Sequence, residues 1–134
     1  MSDARNATIL VVGDDALFVR LTAETLRAAG YRVETTGRDD DVLACIARSH
    51  PSLIMLSLVL PDADGIALCR RIRREAGCLP GIFLMGHHTA HDLTAGLAAG
   101  ADDYLTRFCH TEELLARVRA ALRRTYGAAA LSNE

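Results

Sequence analysis

Several features that would narrow the function are missing from this sequence of 134 residues. No apolar run approaches the roughly 20 residues of a membrane-spanning helix, and the N-terminal MSDARNA lacks the apolar core of a signal peptide. The formal net charge is −2, whereas a nucleic-acid-binding domain needs a clustered basic excess. These absences predict a soluble, cytoplasmic protein with no membrane association and no direct contact with nucleic acid.

The cysteines lack the spacing of a metal site or of a disulfide framework. Four cysteines are present, but they are far apart and no CxxC pair occurs. We therefore expect them to be buried small hydrophobic residues of a protein in a reducing compartment. They are Cys45, Cys69, Cys78 and Cys109.

The composition that is present is typical of a packed globular domain. Half of the residues are apolar, 24% are charged and 4% are aromatic. A chain of this length is expected to fold as one domain. We predict an N-terminal tail over residues 1–6, the domain over 7–125, and a C-terminal tail or the start of a linker over 126–134.

Short apolar runs alternate with longer amphipathic stretches, which predicts strands alternating with helices. The strands are predicted over 7–12, 31–36, 52–57, 81–85 and 102–106, and the helices over 15–29, about 39–49, 66–76, about 90–99 and 112 to about 124. On the first helix, Leu17, Leu21 and Leu26 recur at helical spacing. The segments LRAAGYRVETT and GLAAGADDYLT share one pattern, a helix ended by a left-handed glycine and followed by a strand. The alternation predicts a parallel sheet covered on both faces, in a single doubly wound (βα)5 flavodoxin-like α/β domain.

In such a sheet the ligand crevice lies beyond the carboxyl ends of the strands, so the residues that follow each strand are the candidates for a site. These candidates are Gly13, Asp14 and Asp15 after the first strand, Ser57 and the turn predicted over 61–65 after the third, Gly86, His87 and His88 after the fourth, and Arg107 after the fifth.

Four segments, ILVVGDD, LIMLSLVLPDADG, AAGADDYLTR and EELLARVRAALRR, resemble the receiver domain of two-component response regulators. The resemblance extends from about residue 7 to residue 125 and implies the strand order 2-1-3-4-5. It also implies the chemistry of that family, which is phosphoryl transfer to an aspartate at the end of the third strand. That reaction needs an acidic pair to hold Mg²⁺, a lysine to neutralise the phosphoryl charge, and a switch Thr or Ser after the fourth strand.

The sequence departs from that pattern at most of these positions. Ser57 stands at the phosphoacceptor position, and the first acid, the switch hydroxyl and the lysine are replaced by Gly13, Gly86 and Arg107. A serine hydroxyl is neutral and cannot replace a carboxylate in forming an acyl phosphate, and the planar guanidinium of arginine differs from a compact ammonium. The departures predict a degenerate, non-enzymatic receiver without catalytic residues or cofactor, apart from weak Mg²⁺ binding at Asp14 and Asp15.

Structural roles are also predicted for several of these residues. The Ser57 hydroxyl is expected to bond to neighbouring backbone, and Asp14 and Asp15 are expected to be the N-cap and a first-turn acid of the first helix. Phe108 replaces the proline that follows the lysine in the family, which predicts a trans peptide there. His87, His88 and His91 are expected to be solvated, with a transition-metal site beside Asp14 or Asp15 as the alternative. Arg70, Arg71, Arg73 and Arg74 are expected to form a solvated helix face.

An interaction face is implied by the same resemblance. In receivers that precede winged-helix DNA-binding domains, the fourth helix, fifth strand and fifth helix join two receivers through salt bridges. Here the fourth helix has no Lys or Arg, so part of the ionic complement becomes apolar. We predict a homodimer, or the docking of a protein partner or effector domain, without phosphorylation. The face comprises Leu93, Leu97, Asp102, Asp103, Tyr104, Glu113, Arg117 and Arg119.

Two other functions stay open at this point. The first is a phosphate-accepting receiver that uses a neighbouring acid, Asp14, Asp15 or Asp62. The second is a regulatory module whose crevice binds a small anion through Arg107 and the backbone amides at Gly13 and Gly86.

Overall fold

The computed structural model describes residues 7–37, 42–57, 62–76, 81–86, 90–106 and 109–132, with the backbone alone at 62–64, 90–92 and 124–132. Strands and helices alternate along the chain. They are β1 (Thr8–Gly13), α1 (Ala16–Ala28), β2 (Arg32–Thr36), α2 (Val42–Ser49), β3 (Leu53–Ser57), α3 (Asp62–Glu75), β4 (Gly81–Gly86), α4 (Ala90–Ala98), β5 (Asp103–Thr106) and α5 (Thr111–Ser132).

The strands form one parallel sheet in the order β2-β1-β3-β4-β5. The α/β class and the strand order implied by the resemblance are both confirmed. β1 pairs with β2 on one side and with β3 on the other, so the carboxyl ends of β1 and β3 lie next to each other. This neighbourhood places the candidate residues that follow those strands at one edge of the sheet.

The strands supply side chains alternately to two apolar clusters, one on each face of the sheet. On β1, Ile9 and Val11 belong to the cluster packed against α1 and α5, whereas Leu10 and Val12 belong to the cluster packed against α2, α3 and α4. This is the period of two expected when successive side chains of a strand point to opposite faces. β1, β3 and β4 are therefore buried on both faces, in agreement with their nearly continuous apolar sequences.

The core-facing side of α1 differs from the predicted apolar stripe. Val19, Ala23 and Leu26 are buried, while Leu17 and Leu21 are 57% and 50% exposed. Leu17 and Leu21 precede Leu26 by nine and five positions, which corresponds to rotations of roughly 180° and 140° about the helix axis. Grouping these three leucines on one face was therefore wrong, because only Leu26 points towards the sheet.

Two helices extend beyond their predicted bounds. α3 begins at Asp62, so the predicted turn is wrong over 62–65. α5 continues to Ser132 instead of ending near Arg124, and whether residues 126–134 form a linker stays a prediction. The first residues predicted for α2, 39–41, lie outside the described residues, and the other predicted bounds agree within one residue. Within the part of the chain that is described, no helix is long and apolar enough to cross a membrane.

A set of polar contacts, called the α3 clasp below, joins α3 to the sheet. Arg73 Nε donates a hydrogen bond to the Gly100 carbonyl oxygen at 2.8 Å, and Arg73 Nη2 donates to Asp102 Oδ2 at 2.8 Å. The same carboxylate oxygen accepts from the Ile82 backbone N–H at 2.7 Å. The clasp therefore ties the last turn of α3 to the first residues of β4 and to the residue before β5.

The α3 clasp shows that the prediction for the arginines of α3 was partly wrong, whereas the prediction for the glycines that end helices is confirmed. Arg70, Arg71 and Arg74 are exposed as expected, but Arg73 is half-buried and is not part of a solvated face. Gly100 has φ 112° and Gly30 has φ 102°, so both glycines adopt the left-handed conformation predicted for the end of a helix.

Candidate functional site

Three neighbouring strands end in small residues at the carboxyl edge of the sheet. Gly13 is the last residue of β1, Ser57 the last of β3 and Gly86 the last of β4. Gly13 is paired directly with Ser57 in the parallel register. The structure therefore brings together at least these members of the predicted degenerate phosphorylation site, on the strands that form the centre of the sheet.

Ser57 is buried to 1% exposure, and its Oγ has no hydrogen-bond partner among the residues that the structure describes. The prediction that this hydroxyl bonds to neighbouring backbone is therefore wrong within those residues. A buried hydroxyl without a partner loses its bonds to water and gains nothing in return. Ser57 is thus destabilising at this position, and no base among the described residues holds its hydroxyl in a way that would activate it.

Gly13 lies so close to its neighbours that a side chain does not fit. A Cβ atom at this position would lie 2.6 Å from Val19 Cγ2 and 2.7 Å from the Ser57 carbonyl oxygen. These distances are well inside van der Waals contact, which begins at about 3.5 Å for carbon atoms. The strand end is packed around the missing side chain, and this feature was not evident from the sequence.

Asp15 caps α1. Its φ and ψ are −103° and 101°, and its carboxylate accepts a hydrogen bond from the Phe18 backbone N–H at 3.2 Å. The helix is capped by an acid as expected, but the cap is Asp15 and not Asp14, which lies one residue before it, and no acid lies in the first turn of α1. Asp14 is exposed and is the one acid of the predicted pair that is not used as the cap.

Several predicted site residues lie outside the described residues. These are Arg107, Phe108, His87 and His88, while the side chains of His91 and Asp62 are likewise not described. The roles predicted for them stay predictions. Across the described positions, no group of three or more His, Cys, Asp or Glu side chains could hold a metal ion.

An open cleft of about 670 Å³ adjoins the strand ends, between α1 and the end of β2. Gly13 and Asp14 line it together with Arg20 and Arg27 of α1 and Thr35 of β2. Arg27 donates from Nη2 to the Val33 carbonyl oxygen at 2.9 Å, which fixes one wall. Sequence reasoning missed this cleft, and no motif or spacing in the sequence indicated it.

The predicted interaction face contains a salt-bridge cluster within one chain. Arg117 Nη1 lies 2.9 Å from Asp103 Oδ2, and Arg117 Nε lies 3.4 Å from Glu113 Oε2. The hydrogen bond and charge of Asp103 raise the pKa of the Arg117 guanidinium above its ordinary value. Leu97 is 45% exposed and Leu93 is half-buried against the core, so part of the apolar surface expected on α4 is present.

Three members of the predicted face lie elsewhere. Asp102 precedes β5 and binds Arg73 of the α3 clasp. Tyr104 is buried in the core beneath α4, because residues next to each other in a strand point to opposite faces and Asp103 faces Arg117. Arg119 is exposed, but two positions along a helix do not face the same way, so it does not share the surface of Arg117.

The described cysteines are less uniform than expected. Cys69 is buried and donates from Sγ to the Ala99 carbonyl oxygen at 3.7 Å, whereas Cys45 and Cys109 are half-buried, and Cys78 lies outside the described residues. Burial raises the pKa of the Cys69 thiol above its ordinary value, and burial together with the charge of Glu113 raises the pKa of Cys109. These thiols therefore stay protonated at neutral pH and are poor nucleophiles.

Comparison with known proteins gives consistent matches. The family model of the response regulator receiver domain matches residues 9–119. The transcriptional regulatory protein TcrX of Mycobacterium tuberculosis is 35% identical over 92% of this chain and 53% of its own length. The response regulator MprA of Mycobacterium leprae is 39% identical over 87% of this chain and 51% of its own length.

A solved structure agrees with these sequence matches. The BeF3-activated N-terminal receiver domain of Klebsiella pneumoniae RstA superposes with a TM-score of 0.78 and is 32% identical, covering 87% of this chain and 98% of that one. The present chain spans about half the length of the curated relatives it matches. From the fold, the arrangement of its strand ends and these similarities, the chain belongs to the response regulator receiver domain family of two-component systems.

Proposed function

We propose that this chain is a receiver that takes up no phosphoryl group and acts through contact with another protein. The observation that carries the proposal is Ser57, which stands at the position of the phosphoacceptor in the sequence pattern of the family. Its hydroxyl is buried and has no hydrogen-bond partner in the described part of the chain. A neutral hydroxyl becomes a useful nucleophile only when a positioned base removes its proton.

The described residues around Ser57 do not fit Mg²⁺, which takes near-octahedral oxygen coordination and is usually held through one or two carboxylates. Gly13 and Gly86 contribute no side chain, and Asp15 is used as the cap of α1. Asp14 is therefore the one family acid left at this edge of the sheet, beside a neutral hydroxyl. Such a set of donors supports weak binding of the ion at most.

The positive charge that the family reaction requires is also missing in its usual form. The sequence contains no lysine, and all 15 of its basic residues are arginines. No side chain of this protein can therefore bring a compact ammonium to the phosphoryl position. A guanidinium carries the same charge, but its planar fork differs in reach and geometry.

Incubation with a small phosphodonor and Mg²⁺ is expected to leave the intact mass of the protein unchanged. A second probe is beryllofluoride with Mg²⁺, followed by ¹⁹F NMR, for which we expect no signal of bound fluoride. The RstA receiver is a suitable positive control, because its structure was solved in the BeF3-activated form. Both probes require the same acid and metal chemistry, so we expect both to be negative.

A stoichiometric gain of one phosphoryl group would overturn the proposal. Peptide mapping of the modified protein would then decide between its acids, and modification of Asp14, Asp15 or Asp62 would establish the competing function of a receiver with a displaced acceptor. Binding of beryllofluoride without any mass gain would also contradict the proposal, since it would show a formed metal and fluoride pocket.

We propose that the contact surface is the face formed by α4, β5 and α5, and that it joins two copies of the chain or receives an effector domain. Leu97 is exposed beside the edge strand β5, and Asp103, Glu113 and Arg117 supply charges of both signs nearby. A self-complementary surface of this kind suits a two-fold interface. The effector domain is part of the proposal because the matched relatives are about twice as long.

Leu97→Glu is expected to weaken self-association by about tenfold, because it places a charge in an apolar contact. The matched control is Leu21→Glu on α1, which introduces the same charge at an equally exposed leucine outside the face. Sedimentation velocity over a range of concentrations would measure both. A wild-type chain that is monomeric throughout would exclude the dimer and leave a different protein as the occupant. An equal effect of the two substitutions would exclude this face as the contact between two copies.

A further inference from the structure

Gly13 is required for space and not for backbone freedom. Its φ is not among the positive values, which in the described residues occur at Gly30, Gly100 and His50. A Cβ at residue 13 would lie 2.7 Å from the Ser57 carbonyl oxygen, which belongs to the backbone of the paired strand. It would also lie 2.6 Å from a methyl group of Val19, which is buried in the core cluster beneath α1.

Neither obstacle can move aside at small cost. The Ser57 carbonyl is part of β3, whose side chains are buried on both faces, and moving it would disturb that packing. Val19 is β-branched, so its methyl groups have few alternative rotamers inside a helix. The position differs in this respect from a glycine that faces only the flexible end of a long side chain.

We infer that the part of the site where the family binds its metal ion has lost both its ligands and the space for them, because neighbouring residues fill the position of the first acid. Val19 and the end of β3 occupy the space that the first acid of a receiver requires, so these residues prevent a carboxylate at position 13 from completing the metal site. The inference rests on the proposed function and deepens it. Its consequence is that returning the missing carboxylates to the chain does not return the metal site.

The first test measures the stability of Gly13→Ala against Gly81→Ala. Gly81 is a matched control because it also lies in the sheet, but a Cβ there would meet only the side chains of Leu53 at 3.1 Å and Asp102 at 3.4 Å. We expect Gly13→Ala to lower the folded-to-unfolded ratio by at least about tenfold more than Gly81→Ala does. Adding Val19→Ala should recover part of the loss and not all of it, because the Ser57 carbonyl remains.

The second test measures metal binding directly. Gly13→Asp/Ser57→Asp restores both carboxylates, and Mn²⁺ binding followed by electron paramagnetic resonance replaces Mg²⁺ with a visible ion. We expect the affinity to stay within about twofold of that of the wild-type chain. The same measurement on Ser57→Asp alone shows whether the second acid contributes anything.

Equal stability of the two alanine variants would overturn the inference, as would a rise of about tenfold or more in Mn²⁺ affinity for the doubly restored chain. The alanine comparison decides the matter even when the aspartate variants fail to fold. These outcomes are separate from those for the proposed function, since phosphorylation of the wild-type chain would refute that function without placing a side chain at residue 13.

Discussion

Ser57→Asp is expected to lower the free energy of unfolding by about 3 kcal/mol instead of creating a phosphoacceptor. The side chain at this position is 1% exposed, and the described residues offer its oxygen no hydrogen bond. An ionised carboxylate placed there would lose its hydration without gaining a partner. The loss should shrink in acid, because a protonated carboxyl is cheaper to bury than a charged one.

Ser57→Ala is the matched control for this substitution. It removes the hydroxyl and adds no charge, so we expect the free energy of unfolding to rise by about 1 kcal/mol as the unsatisfied polar group disappears. Chemical denaturation of both variants beside the wild type gives the two differences. A destabilised alanine variant would show that the hydroxyl has a partner after all, and a stable aspartate variant would show that the position accepts a charge.

Asp102→Ala is expected to lower the free energy of unfolding by about 2 kcal/mol. One carboxylate oxygen of Asp102 accepts from the Ile82 N–H at 2.7 Å and from Arg73 Nη2 at 2.8 Å. Removing it leaves a partly buried backbone N–H without this acceptor and weakens the hold on Arg73. The expected loss in free energy of unfolding is moderate because both charged groups of the α3 clasp are partly exposed.

The neighbouring Asp103→Ala provides the control, because it removes the same charge one position later. Asp103 contacts Arg117 at 2.9 Å in a largely exposed ion pair, which contributes about 0.5 kcal/mol, and its other carboxylate oxygen accepts from the neighbouring Tyr104 N–H at 2.9 Å. The two substitutions therefore separate a carboxylate that joins three elements from one that forms a surface salt bridge. Denaturant midpoints that are equal for the two variants would contradict the role assigned to the clasp.

Much of the fold could be predicted from local patterns. The alternation of apolar runs with amphipathic stretches identified each strand and helix, and Gly30 and Gly100 marked the ends of helices correctly. These features depend on a few neighbouring residues, so they are readable in the sequence. The turn predicted over 62–65 was wrong because the local signal is ambiguous. Turn residues such as Asp and Gly also occur in the first turn of a helix.

Side-chain direction was less predictable than the elements themselves. Leu17 and Leu21 were grouped with Leu26 because apolar residues were counted without their full helical rotation. On β5, Asp103 and Tyr104 were placed on one face although neighbouring strand residues point to opposite sides. Both errors could have been avoided from the sequence, because the rotation along a helix and the alternation along a strand are fixed. A resemblance to a family names the elements of a face but does not say which way each side chain points.

The site was predictable in its membership and not in its packing. The positions of Gly13 and Ser57 followed from the strand ends and from the sequence pattern of the family. The missing hydrogen bond of Ser57 and the closed space at Gly13 depend on distances of a few tenths of an ångström between strands. The spacing of residues in the sequence does not predict such distances, because they depend on how closely the two layers of helices pack against the sheet.

The alternation of β1 between the two apolar clusters has a consequence for how the protein unfolds. Ile9 and Val11 pack against one layer of helices, and Leu10 and Val12 pack against the other, so both layers share the same strand. Peeling either layer away would expose an entirely apolar side of the sheet to water. Thermal unfolding should accordingly be a single cooperative transition, with circular dichroism and calorimetry reporting the same midpoint. A destabilising substitution in one cluster should therefore lower the midpoint of the whole domain.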